Sequence, residues 1–176
     1  LSAEIRRPVT FALLQVDAAP NLWRELLALS EEAAKDGAQV YPQVAGRPFG
    51  MLVGHQTKIH PFGGRPSYEA LLALPFAERV RRLQDPETKR RILAEGKSVP
   101  SLLLSQLHKF FPMGDPPRYE PTREESIAGL AEKEGRDPEE LLYDRMLARE
   151  GKELFLVPVL NYSEGTINRL RQGGAI

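Results

Sequence analysis

The sequence predicts an α/β fold built on parallel strands, and three observations within residues 8–48 carry that prediction. A short apolar run over residues 9–15 suits a buried strand. Leu22, Trp23, Leu26, Leu27, Leu29, Ala33 and Ala34 then recur at helical spacing, and the run closes on Gly37. A second short run, residues 39–45, contains Val40, Tyr41 and Val44. A strand, a helix over 21–36 and a strand, joined by tight loops, make a βαβ unit. Its strands pair in parallel because the helical crossover returns the chain to the same end of the sheet. Such sheets are covered on both faces, and their ligands sit beyond the carboxyl ends of the strands. Residues 15–20 and 43–48 therefore form the expected functional rim.

The remaining elements follow in order. Residues 49–65, FGMLVGHQTKIHPFGGR, are rich in glycine and read as a loop. Helices are expected over 67–73, 76–83 and 86–95. Pro75 separates the first two, Asp85 caps the third with Pro86 at its first position, and Gly96 ends it. Residues 97–121 hold five prolines and read as irregular. Thr122 with Glu125 forms a capping box for a helix over 123–134, and Asp137 with Glu140 repeats the device for 138–149. A third strand is expected over 154–160, followed by a closing helix from Ser163 through Leu170.

The three strands are expected to be parallel and adjacent in chain order. They are too few to shelter so many helices, so the fold reads as part of a (β/α)8 barrel, its later strands and helices, with a mostly helical insertion. The division is a βαβ unit at 1–48, an insertion or lid subdomain at 49–121, and helices, one further strand and a closing helix at 122–176. A start at Leu1, directly upstream of a strand, suggests a piece of a longer chain.

Composition limits the function. The 176 residues carry 24 basic and 24 acidic side chains, a formal charge of +0, so nothing electrostatic draws the chain to nucleic acid or an acidic membrane. The absence of cysteine fits a reducing, cytoplasmic setting. Neither a bilayer-spanning apolar run nor a signal peptide is visible, and a homo-oligomer is compatible with the composition. His55 and His60 lie five apart in the glycine-rich loop without helical spacing or an acidic neighbour, so they read as exposed or structural loop histidines rather than metal ligands. His108, in SQLHKFF, reads as a packing residue. Arg81, Arg82, Lys89, Arg90 and Arg91 read as a solvated face balanced by Glu78, Asp85 and Glu87. Residue types alone name no reaction.

An ordered string of segments adds a resemblance. PVTFALLQVD, NLWRELLALSEEAAKDG, VYPQVAGRP, RILAEG, the run from FFPMGDPPRYEP to EELLYD, and LFLVPVLNYSEG together resemble the N-acyl-D-amino-acid deacylase (D-aminoacylase) group of metal-dependent amidohydrolases over nearly the whole chain. The resemblance implies a (β/α)8 barrel with a helical insertion over its mouth, and a hydrolase of non-peptide C–N bonds in linear amides. Zinc or another divalent metal would activate the water. It also implies that the metal-binding histidine pair and the general-base aspartate lie outside this segment, which alone is expected to hold no catalytic residue and no metal. Leu13 stands where the family has a histidine ligand, and Gln15 where it has a carboxylate-holding lysine. Tyr41 and Arg47 align with substrate contacts. With Gln43, Asn161 and Tyr162, they make the expected substrate-binding set for an acylated amino acid or related small amide. The departures at Leu13 and Gln15 keep a second reading open: a non-catalytic relative or fragment that acts only as a ligand- or partner-binding α/β domain.

Overall fold

A computed structural model describes residues 2–118 and 121–162. The chain divides into two units. One contains the residues up to Gly50 with those from Pro158 onward, and the other is Met51–Val157.

In the first unit a short helix, α1 (Ser2–Ile5), precedes strand β1 (Val9–Ala12), helix α2 (Leu22–Lys35) and strand β2 (Val40–Gln43). The Ser2 hydroxyl donates to the Arg7 carbonyl at 2.7 Å and accepts the Gln39 N–H at 2.9 Å, which ties the start of the chain to the approach of β2. β1 and β2 are parallel, as expected, with Val9 opposite Val40 and Ala12 opposite Gln43. The Leu13 N–H extends the ladder to the Gln43 carbonyl at 2.9 Å. Val9, Phe11, Val40 and Pro42 are half-buried while Thr10, Ala12, Tyr41 and Gln43 are exposed, the period-two alternation of a sheet covered on one face. Leu13 and Trp23 are the buried centre, packed with Phe11, Leu26, Leu27 and Val44. α2 ends where Gly37 takes φ +84°, a conformation that costs glycine nothing.

In the second unit, strand β3 (Phe49–Val53) carries the chain in. Helices α3 (Pro66–Glu69), α4 (Phe76–Leu83) and α5 (Pro86–Glu95) follow, then a 3-10 turn at Leu104–Lys109 and strand β4 (Phe111–Pro112). Helices α6 (Ile127–Glu134) and α7 (Pro138–Met146) precede strand β5 (Phe155–Leu160). The sheet order is β3-β5-β4, with β5 antiparallel to β4. Helices and sheet close over one apolar core that includes Val53, Phe62, Leu83, Ile92, Phe110, Ile127 and Phe155.

Several expectations are corrected. Residues 49–65 are not all loop: the first five form β3, an apolar run hidden by the glycines around it. Residues 97–121 contain the 3-10 turn and β4. The third expected strand exists as β5, but it lies between β3 and β4 rather than beside β2, because an apolar run specifies burial and not a partner. The helix expected over 67–73 is a single turn, Pro66–Glu69. The capping box of Thr122 and Glu125 forms, yet it closes a 3-10 turn, and Ser126 starts α6. α7 stops at Met146, before left-handed Arg149 and Glu150. Among the described residues no closed barrel is present. The expected closing helix from Ser163 lies outside them. No described helix is long and apolar enough to cross a membrane.

Candidate functional site

The rim begins where β1 ends. One residue after β5, Asn161 donates its backbone N–H to the Gln15 carbonyl at 3.0 Å, and its side-chain Oδ1 accepts the Gln15 N–H at 2.9 Å. Its Nδ2 donates to the Ala45 carbonyl at 3.3 Å. One side chain therefore holds the segments that follow β1 and β2. Asn161 sits at φ +56°, a left-handed conformation that asparagine tolerates better than other side-chain-bearing residues. It is 1% exposed, and Gln15 is 2% exposed with its Nε2 donating to the Val16 carbonyl at 3.2 Å. These polar groups are buried because they are hydrogen-bonded.

The other members of the expected set are more open. Tyr41 and Gln43 are exposed on the uncovered face of the sheet, and the Gln43 amide donates to the Tyr41 carbonyl at 3.4 Å. Arg47 is exposed and forms no ion pair with a described residue. Tyr162 is half-buried, and burial pushes its hydroxyl above the usual tyrosine value. Leu13 faces the helix side, fully buried against Trp23. The structure thus brings Gln15 and Asn161 together and leaves Tyr41, Gln43 and Arg47 open to solvent. In chemical terms the open members offer a phenol, a carboxamide and a guanidinium, donors suited to a carboxylate or an amide oxygen.

A second group was not singled out as a site by the sequence. His55, two residues after β3, is 1% exposed and His60 is 9% exposed, so both are structural rather than exposed loop residues. His55 Nδ1 lies 2.9 Å from the Tyr68 hydroxyl, and its ring stacks on Tyr68 at 5.8 Å between centroids. His60 tilts over the same ring at 4.3 Å. Burial first, then the nearby His60 and Arg79, pulls His55 down to about 3. Burial also lowers His60, partly offset by Glu69. Tyr68 and Tyr143 are pushed up, chiefly by burial. The spacing of the two histidines gave no clue to this; the apolar Phe62 between them and Arg65 was the available signal that the loop turns inward. His108, expected to pack, is exposed. Arg81, Arg82, Arg90 and Arg91 make the solvated face expected of the basic cluster, but Lys89 is half-buried and turns to α7. Arg90 pairs with Glu87 at 2.5 Å and Arg82 reaches Glu78 at 4.0 Å, while Lys89 contacts Glu140 and Asp144 at 2.7 and 2.8 Å.

No group of three or more histidine or acidic side chains among the described residues is arranged to hold a metal ion. The chain matches no protein-family model, no curated protein and no solved structure in sequence or structure comparison.

Proposed function

We propose that this chain is a portion of a metal-dependent amidohydrolase that cleaves a linear amide such as an N-acyl-D-amino acid. In this reading β1, α2 and β2 belong to the later part of a (β/α)8 barrel working in the cytoplasm, and the 51–157 unit is its helical insertion. The supporting observation is the knot of Gln15, Ala45 and Asn161. It gathers the segments beyond the carboxyl ends of β1, β2 and β5, the end at which barrel enzymes do their chemistry. The catalytic ligands, and the zinc or similar ion they hold, belong to other parts of the parent protein. Tyr41, Gln43, Arg47 and Tyr162 contribute the substrate side, with Gln15 and Asn161 as its buried floor.

Arg47 is the residue on which this reading is tested. A substrate carboxylate leaving water needs a cation, and Gln15 brings none. A guanidinium fork can hold both carboxylate oxygens. Because Arg47 is exposed and without an ion pair among the described residues, its loss should leave the fold intact. Arg47→Ala in the full-gene product is expected to weaken substrate binding by roughly 2–5 kcal/mol, and Arg47→Lys to recover part of it. An unchanged kcat and KM in the alanine variant would rule out the anchor.

One observation favours a second reading, a non-catalytic relative that binds a ligand or partner. Leu13 is committed to apolar packing with Trp23, so the position aligned with a metal ligand faces α2.

A further inference from the structure

We draw no further inference here: the strongest candidate, the apolar flank of helix α2 on which Leu22 and Leu29 are exposed, is a small surface patch, and nothing in the structure shows what covers it.

Discussion

Asn161 is the residue on which the rim depends. Its side chain satisfies one buried N–H and one carbonyl belonging to two different segments, and its backbone satisfies a third group. Replacing it by alanine removes the Oδ1 that accepts the buried Gln15 N–H, at a cost of about 1–3 kcal/mol. Asn161→Asp keeps the acceptor but sets a buried carboxylate oxygen, which cannot donate, against the Ala45 carbonyl, so it should cost at least as much. Denaturant unfolding of the two variants checks the order, and an alanine variant as stable as the parent would return Asn161 to the role of a simple substrate contact. His55 supplies a prediction with a defined sign. Its folded value lies below its unfolded one, so its contribution is complete above about 6.5 and is lost as pH falls toward about 3. The unfolding free energy of the parent should therefore fall by a few kcal/mol more than that of His55→Asn between those values. Equal slopes would show that His55 is not the group responsible. At this scale the sequence was only partly legible. A polar residue at a strand end reads as a rim residue whether it points at a ligand or, like Gln15 and Asn161, turns inward to hold backbone. Two histidines in a glycine-rich loop read as exposed or structural, and only the enclosing Phe62 and Tyr68 decide for the second.

Helices were the most legible elements, because their limits are set by local chemistry. The Asp85 side chain accepts the Thr88 N–H at 2.8 Å and Pro86 opens α5, so that helix begins and ends where its residues say it should. α4 matches its expected span for the same reason, with Pro75 before it. Strands were less legible: β1 and β2 share a local crossover, whereas the partners of β5 lie far away in sequence and leave no periodic trace. α6 shows how packing can reverse a local rule. Glycine inside a helix normally gives way to alanine with a gain of up to about 1 kcal/mol. At Gly129 a Cβ would stand 2.8 Å from the Arg123 carbonyl and from the backbone of Glu124, neither of which is a flexible side-chain end. Gly129→Ala is therefore expected to destabilise, as measured by thermal melting, and a higher melting temperature would mean that the corner relaxes. Ser126, which caps α6 by accepting the Gly129 N–H at 3.1 Å and is 1% exposed, should cost about 1 kcal/mol when changed to alanine.

At the scale of the whole molecule, the chain leaves the first unit through β3 and returns through β5, and these two strands are neighbours in one sheet. An insertion whose ends lie side by side can fold without its host. Residues 51–157 expressed alone are expected to unfold in one cooperative denaturant transition, which circular dichroism would report; a gradual, non-cooperative loss of signal would mean that the unit needs the rest of the chain. The first unit is different in kind. Among its described residues β1 and β2 form a sheet of two parallel strands with one face exposed. The proposed function rests on a (β/α)8 barrel and on a metal held in it. Its most direct test is hydrolysis of N-acetyl-D-amino acids by the full-gene product, followed before chelation, after chelation and after zinc is restored. The account predicts amine release that chelation abolishes and zinc recovers. A folded, zinc-supplied product that releases no amine from any of these substrates would contradict it.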